Sequence, residues 1–285
     1  MMALRQYKKS ADILTKIFLG IVLAAIAVTV LFPLYYVLAT SLKAYGEYVL
    51  NPLGLNFSKL IFKNYAEVLG SKNLLGATLN SITVTVTGVV LTVVFSALAA
   101  FAIGVVQFRG SGFLYFIAIS TMFFTGEMTY VPMYLLYNKL KLLNTYGVLL
   151  LPYLVGIPGL GIVLGANFIR KIPKEIHEAA FLEGAKLRNV FVSIDLRLLL
   201  PILSVVAIMT FQSVWSDFFW PMISVMGNRK LHTLPLMMIG FKAADASMYG
   251  QYCAGLTIMT LPIVVVYCFF SKYFLQGMSA GAVKG

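Results

Sequence analysis

Charged residues are scarce in this chain, since Asp, Glu, Lys and Arg together make up 11% of its 285 residues. A soluble domain usually carries about 25% charged and about 45–50% apolar residues. Here 60% of the residues are hydrophobic and the mean hydropathy is +0.89. The apolar runs are long enough to span a membrane as helices, and they lack the two-residue alternation of barrel strands. The composition therefore excludes a soluble domain and predicts an all-α, polytopic membrane protein.

The sequence also lacks the motifs of common enzyme and metal sites. It contains no GxxxxGK[ST] loop, no HExxH and no glycine-rich dinucleotide loop. The string Gly277–Gly281 matches GxSxG, but it follows the last apolar run and does not lie between a strand and a helix, as a nucleophile elbow requires. His177 and His232 are too isolated for a metal site. Cys253 and Cys268 have no CxxC spacing, and we expect both to be small buried side chains in or near the last apolar run. We therefore expect no enzymatic activity, no metal and no cofactor.

Negative charge is rarer than positive charge, which gives a net charge of +12. Such a charge is also typical of nucleic-acid-binding proteins. However, Lys and Arg are dispersed between the apolar runs, as is usual for the loops of an inner-membrane protein. We therefore expect membrane lipid, and not nucleic acid, among the partners of the chain.

Six apolar runs predict six membrane-spanning helices in one membrane domain. They lie at about residues 17–40, 79–106, 113–136, 146–168, 198–225 and 253–274. A cleaved signal peptide is the alternative for the first run, but the run exceeds the usual length of about 7–15 apolar residues and no clear cleavage site follows. We therefore predict an N-terminal cytoplasmic segment (1–16), a membrane domain (17–275) and a cytoplasmic C-terminal tail (276–285).

The charge of the loops predicts the orientation of these helices. With the N-terminus inside the cell, the inner loops hold more Lys and Arg than the outer loops, although the difference is small. This orientation places both termini and residues 170–197 in the cytoplasm. It places the loop at about residues 227–252 on the outer side.

Residues 170–197 form a polar interval between the fourth and fifth apolar runs. Pro173 can begin a helix because the first helical N–H needs no intrahelical partner. Lys174–Leu182 contains good helix formers, and Gly184 is a typical residue to stop a helix. We therefore predict a short helix outside the membrane, either as a docking element for a partner or as an ordinary amphipathic surface helix.

This helix and the residues after it carry six positions of a known pattern, namely Glu178, Ala179, Ala180, Gly184, Ile194 and Leu196. The pattern resembles the EAA loop of ABC-importer permeases, with Arg197 where a proline is usual. The resemblance implies that the first four of these residues dock a dimer of cytoplasmic ATP-binding subunits. Small alanines let a partner approach the helix backbone closely, and Glu178 offers a carboxylate to a cationic side chain.

The C-terminal sequence resembles that of the MalG-like permeases of carbohydrate uptake, which end in QG…AG-VKG. Gln276, Gly277 and Lys284 match that ending. The resemblance implies a flexible tail that enters the interface between the two ATP-binding subunits, and a frayed terminus is the alternative. The segment Trp215–Pro221 is similar to the W-N-x-F-x-W-P segment of the same family, and the resemblance covers about residues 15–285.

Four residues are candidates for the substrate pathway: Glu127, Trp215, Asp217 and Trp220. Aromatic faces stack on the C–H surface of a sugar, and a carboxylate accepts hydrogen bonds from its hydroxyl groups. Packing in an interfacial aromatic belt is the alternative for the two tryptophans. A carboxylate inside a span is a functional candidate, but Glu127 can also lie in a water-filled vestibule or pair with a partner subunit.

The resemblance implies a permease subunit of an ATP-driven carbohydrate importer in a bacterial or archaeal cytoplasmic membrane. Such a subunit forms half of the translocation pathway with a second homologous permease. It works with a dimer of ATP-binding subunits and an extracytoplasmic solute-binding protein. A permease for a polyol, glycerol phosphate or peptide is the alternative. An ion-driven secondary transporter is another, although it predicts inverted repeats and paired intramembrane charges, and neither is visible in the sequence.

Overall fold

The computed structural model describes the backbone of residues 2–124, 126–155 and 158–282. It describes the side chains of the same residues other than 2–14, 127, 155, 242–244, 246 and 271–282. All regular structure in the described residues is helical, which confirms the predicted all-α class. The α-helices of these residues are α1 (Met2–Ser41), α2 (Tyr45–Leu50), α3 (Lys63–Leu69), α4 (Leu74–Phe101), α5 (Ser111–Thr121), α6 (Gly126–Lys139), α7 (Tyr146–Val155), α8 (Pro158–Ile169), α9 (Lys174–Leu182), α10 (Leu187–Val190), α11 (Leu196–Ser216), α12 (Phe219–Val225), α13 (Leu234–Ala244) and α14 (Tyr249–Ala282).

Five helical stretches in the described part of the chain are long and apolar enough to cross a membrane. They are Thr15–Ser41, Leu74–Val106, Tyr146–Ile169, Leu187–Ser216 and Tyr249–Phe270. Each overlaps one of the predicted spans. Large apolar side chains remain exposed along all of them, as expected for surfaces that face lipid or another subunit.

The predicted third span is wrong as a single helix. The chain forms α5, then a turn at Met122–Phe124, and then α6. At the turn, the N–H groups of Met122 and Phe123 donate to carbonyl groups three residues back, at 3.0 and 3.1 Å, which is the tight geometry that often ends a helix. The apolar run predicted the location of this region but not its interruption.

The predicted fifth span is also wrong as a single helix, because α11 ends at Ser216 and α12 begins at Phe219. Asp217 has an extended backbone between the two helices, and its Oδ1 accepts a hydrogen bond from the Trp220 N–H at 3.2 Å. An aspartate side chain favours this role because it satisfies a backbone N–H at the start of a helix. Pro221 lies in the first turn of α12, where proline is tolerated.

The chain divides into two compact units, one with residues up to Ser71 and Gly240–Ile258, the other with Lys72–Ile239 and the residues from Met259. In the first unit, the buried Lys43 donates through Nζ to the carbonyl oxygens of Asn51 and Pro52, at 2.9 and 3.0 Å. These bonds satisfy the buried ammonium group and hold the loop after α1 in place.

Helices α4, α8 and α11 form the centre of the second unit. Ser96 and Ala100 on α4 face Gly161 and Gly165 on α8. A Cβ atom on Gly165 would lie 2.7 Å from the Ala100 Cβ, and one on Gly161 would overlap the Ser96 side chain. Such small residues, spaced four apart, allow close approach of helices that have no hydrophobic driving force in lipid.

Candidate functional site

Helix α9 has the bounds predicted from the sequence. It ends at Leu182, and Gly184 follows with a left-handed φ of +83°. The N–H of Gly184 donates to the Phe181 carbonyl, and the N–H of Ala185 donates to the Ala180 carbonyl, both at 3.0 Å. Glycine suits this position because a side chain strains the left-handed backbone. The two bonds close the helix and turn the chain sharply away.

One face of α9 is open to solvent. Glu175, Glu178, Ala179 and Leu182 are all exposed, and their spacing places them on the same side of the helix. Leu182 has 89% of its surface exposed, which is unusual for a leucine outside the apolar helices. This set of four residues, here called the α9 face, is both acidic and apolar and has no described partner within the chain.

The opposite side of α9 is attached to the membrane helices. Ala180 and Ala185 pack against a buried cluster that combines residues of α4, α8 and α11. Its buried members are Ala97, Ala100, Phe101, Ile103, Ala166, Ile169, Val190, Leu199 and Leu203. A displacement of α9 would therefore act directly on the ends of three spans.

A buried contact between a histidine and an aspartate also anchors α9. His177 Nε2 lies 2.9 Å from Asp195 Oδ1, and the Asp195 side chain has no solvent exposure. Asp195 ends a π-helical turn, Phe191–Asp195, that leads directly into α11. In the sequence, His177 is too isolated for a metal site, and its partner Asp195 lies 18 positions away. The available signal was a polar residue on the buried side of an amphipathic helix.

A cavity of about 900 Å³ lies beside the breaks in the third and fifth predicted spans. The break between α5 and α6, the break between α11 and α12, and parts of α7 and α8 contribute to its wall. Its described lining consists of Thr121, Met122, Phe124, Gly126, Thr129, Tyr130, Met133, Pro152, Tyr153, Leu160, Met209, Gln212, Ser213, Ser216, Asp217 and Trp220. A volume of this size is ordinary for a small-molecule site.

The wall of the cavity combines aromatic rings, neutral polar groups and the carboxyl group of Asp217. Asp217 Oδ2 accepts a hydrogen bond of 2.6 Å from the Tyr153 hydroxyl. Gln212, Ser213 and Ser216 are exposed, and with Met209 they follow one face of α11. This polar stripe was not among the predicted pathway residues, although three polar residues at helical spacing within an apolar span are a visible signal in the sequence.

The two tryptophans of the predicted pathway have different surroundings. Trp220 lies at the cavity but is fully buried, donates through Nε1 to the Val148 carbonyl at 2.7 Å, and stacks with Tyr130 at 5.9 Å between ring centroids. Trp215 is 4% exposed, donates through Nε1 to the Met259 carbonyl at 3.0 Å, and is absent from the described lining. The structure therefore brings Asp217 and Trp220 to the cavity but packs Trp215 elsewhere.

The other predicted positions fall partly or wholly outside the described residues. Glu127 belongs to α6, but its side chain lies outside the described part. The backbone at Gln276 and Gly277 belongs to α14, which is helical to Ala282 where a flexible strip was expected, while Lys284 lies outside the described residues. Alanine and methionine among these last residues are good helix formers and can extend the helix.

The two cysteines differ from each other. Cys253 is buried as predicted, but Cys268 is exposed, so the prediction of two buried cysteines is wrong for Cys268. In lipid, a helix surface can expose small hydrophobic side chains without the cost that water imposes. Within the described residues, no group of three His, Cys, Asp or Glu side chains could hold a metal ion.

Curated proteins of similar sequence exist, although no family model matches the chain. The "Probable ABC transporter permease protein YurM" of Bacillus subtilis is 34% identical over 207 residues, which cover 73% of this chain and 69% of the relative. The "Arabinooligosaccharides transport system permease protein AraQ" of Halalkalibacterium halodurans is 29% identical over 281 residues, which cover 98% of this chain and 99% of the relative.

Solved structures share the fold. A chain from the crystal structure of a bacterial ABC transporter "involved in the import of the acidic polysaccharide alginate" matches with a TM-score of 0.80 and 23% identity, over 93% of this chain and 98% of that chain. A second chain matches with a TM-score of 0.66 and 15% identity, over 91% and 94% respectively. Its structure is described as a bacterial alginate ABC transporter in complex with an "alginate pentasaccharide-bound periplasmic protein".

Proposed function

The chain belongs to the ABC transporter permease family, and we propose that it is one of two homologous permease subunits of an ATP-driven carbohydrate importer. One relative is named for the transport of arabinooligosaccharides, and the structural matches come from importers of alginate. These names support a carbohydrate substrate over a polyol, glycerol phosphate or peptide. Membership of the ABC family also disfavours an ion-driven secondary transporter.

The α9 face is the observation that carries this proposal. A dimer of cytoplasmic ATP-binding subunits docks there through Glu178 and Ala179, and Gly184 shapes the turn that ends the helix. Ala180 was predicted to dock as well, but it packs against the buried cluster on the opposite side of α9. The face is exposed and partly apolar, while the opposite side of the same helix packs against three spans. Movement of the ATP-binding subunits would therefore displace α9, and α9 would transmit it to the membrane helices through direct packing contacts. ATP hydrolysis takes place in those subunits and not in this chain.

The cavity forms this subunit's half of the translocation pathway. Asp217 and the neutral polar stripe on α11 offer hydrogen bonds to sugar hydroxyl groups, and Tyr130 and Tyr153 offer aromatic surface. ATP binding and hydrolysis shift the complex between inward-open and outward-open states, because ATP interacts differently with the two states. Glu127, on the helix beside the cavity, is a further candidate for this pathway.

An extracytoplasmic solute-binding protein delivers the sugar. A structural relative was crystallised with a periplasmic protein that carries an alginate oligosaccharide, which supports this partner. The subunit lies in a bacterial or archaeal cytoplasmic membrane with both termini in the cytoplasm. The loop at about residues 227–252 faces the binding protein, and the C-terminal residues, including Gln276, Gly277 and Lys284, contact the ATP-binding dimer.

A charge reversal on the α9 face tests the proposal. Glu178→Lys should lower sugar-stimulated ATP hydrolysis by at least about tenfold, because it places a like charge against a cationic partner surface. The complete importer should be reconstituted in proteoliposomes with its binding protein and a carbohydrate panel. ATP hydrolysis, sugar uptake and co-purification of the ATP-binding subunit should each be measured.

Glu183→Lys is the matched control for this experiment. Glu183 is also exposed, but it caps the end of α9 and lies outside the α9 face. The same charge change there should leave at least half of the activity. Wild-type coupling in Glu178→Lys would remove the docking role of α9, and an intact complex that takes up no carbohydrate would contradict the proposed function itself.

A further inference from the structure

We propose that the cavity selects neutral carbohydrates and rejects those that carry carboxylate or phosphate groups. The inference rests on the proposed function, because it assigns a substrate class to the pathway of a carbohydrate importer. It is carried by the signs of the charges around the cavity. It applies to this subunit's half of the pathway.

Basic residues are missing from the parts of the helices that lie near the cavity, since Lys139 and Arg197 lie at the opposite ends of α6 and α11 from the lining residues. By sequence, residues 74–106, 146–169 and 198–216 contain no charged residue at all. Residues 111–136 contain one, Glu127, which is acidic. The break between α11 and α12 adds Asp217, which is also acidic. The charge available near the middle of these spans is therefore negative.

The described lining of the cavity has the same character. None of its residues is Lys or Arg, and Asp217 is its acidic member. The Asp217 carboxyl group is held at the wall by two donors, the Tyr153 hydroxyl at 2.6 Å and the Trp220 N–H at 3.2 Å. Recognition of a carboxylate or phosphate normally uses Arg or Lys, and a like charge nearby opposes it.

The neutral part of the lining suits hydroxyl groups instead. Gln212, Ser213 and Ser216 each supply both donors and acceptors, which matches the dual character of a sugar hydroxyl. The wall also includes Tyr130 and Tyr153, whose rings provide apolar surface. Sugars without ionised groups can therefore satisfy their hydrogen bonds in the cavity without a counter-charge.

Protection of a single cysteine from labelling measures this selectivity without the binding protein. Ser216→Cys would be made in a chain with Cys253 and Cys268 replaced by alanine, and the complete membrane complex would be trapped with ATP. A thiol reagent would then label the cysteine in the presence of a panel of neutral pentasaccharides or of alginate pentasaccharide. For each sugar, the measured quantity is the concentration that halves labelling of the cysteine. We expect this concentration to be at least about tenfold lower for the best neutral sugar than for alginate pentasaccharide, because like charges oppose binding of the acidic sugar.

In the Asp217→Asn variant of the same chain, the half-protecting concentrations of the neutral and acidic sugars should differ less, since the substitution removes the described acidic group of the wall. Asp245→Asn is the matched control, because Asp245 is exposed and does not line the cavity. It should leave the discrimination unchanged. Equal or better protection by the acidic sugar would overturn the inference.

Protection by neither sugar, in a complex that still imports a carbohydrate, would also overturn the inference and leave the proposed function standing. A complex that imports no carbohydrate of either kind would overturn both.

Discussion

The Asp195 side chain has no solvent exposure, and its Oδ2 atom has no hydrogen-bond partner among the described residues. Its Oδ1 atom meets His177 Nε2 at 2.9 Å. Burial of an unpaired polar atom is unfavourable, so packing of the surrounding helices must hold this arrangement in place. The contact joins the proposed docking helix to the turn that begins α11, and we therefore expect it to position α9.

Replacement of Asp195 should distinguish a hydrogen bond from a charge effect. Asp195→Ala leaves the buried His177 ring without a partner and should lower the free energy of unfolding by about 2 kcal/mol. Asp195→Asn keeps an oxygen and a nitrogen within reach of the ring and should cost less than about 1 kcal/mol. Thermal unfolding of the detergent-solubilised complex measures the difference.

The same variants should be compared for coupling of ATP hydrolysis to uptake. If the pair positions α9, Asp195→Asn should restore most of the coupling that Asp195→Ala loses. Equal loss in both variants would show that the negative charge is required, and equal retention would remove the positioning role.

At the scale of helices, α4 and α8 can pack closely because glycines of α8 have no side chain at the contact. Gly165→Ala should destabilise the protein by about 1–3 kcal/mol, because the new Cβ would lie 2.7 Å from the Ala100 Cβ and force the helices apart. The readout is the midpoint of thermal unfolding in detergent, together with the yield of assembled complex.

Gly76→Ala provides the comparison for that substitution. Gly76 also lies in a helix, α4, but a Cβ there would meet no atom within 4 Å. Both substitutions replace glycine by the better helix former alanine. A lower unfolding midpoint in Gly165→Ala alone would therefore report the effect of close packing. Equal midpoints for the two variants would contradict the packing argument.

The interruptions of the third and fifth predicted spans also belong to this scale. A broken helix leaves backbone polar groups that lipid cannot satisfy, so breaks are tolerated where protein or a cavity surrounds them. Both breaks contribute residues to the cavity wall, including Met122 and Asp217. Their shared location supports a polar pathway through the second unit, and continuous apolar helices would not create one.

For the whole molecule, the predicted orientation is testable with cysteines on opposite sides. In a chain with Cys253 and Cys268 replaced by alanine, Ser247→Cys should react with a membrane-impermeant thiol reagent added outside intact cells. Lys186→Cys should react only after the membrane is opened. Both native side chains are exposed, so burial does not prevent labelling at either position.

The loaded binding protein supplies the second part of this test. If the loop at about residues 227–252 is its docking surface, it should protect Ser247→Cys from the reagent when the complex is trapped with ATP. Labelling of position 247 from the cytoplasmic side would overturn the orientation. Outside labelling without protection would keep the orientation and remove the docking role.

Sequence alone determined the features that depend on neighbouring residues. Long apolar runs located the membrane helices, because a helix satisfies its own backbone hydrogen bonds in lipid. Pro173 and Gly184 located the ends of α9, because their backbone preferences act locally. The pattern around Glu178 identified the family before any contact was known.

Tertiary structure decided which side of each helix faces which neighbour. Trp215 and Trp220 are five positions apart, yet one packs away from the cavity and the other lies at its wall. Tyr153 meets Asp217 across 64 residues, and His177 meets Asp195 across 18. Such contacts depend on how distant helices pack, because local sequence fixes the helix but leaves its rotation and its partners open.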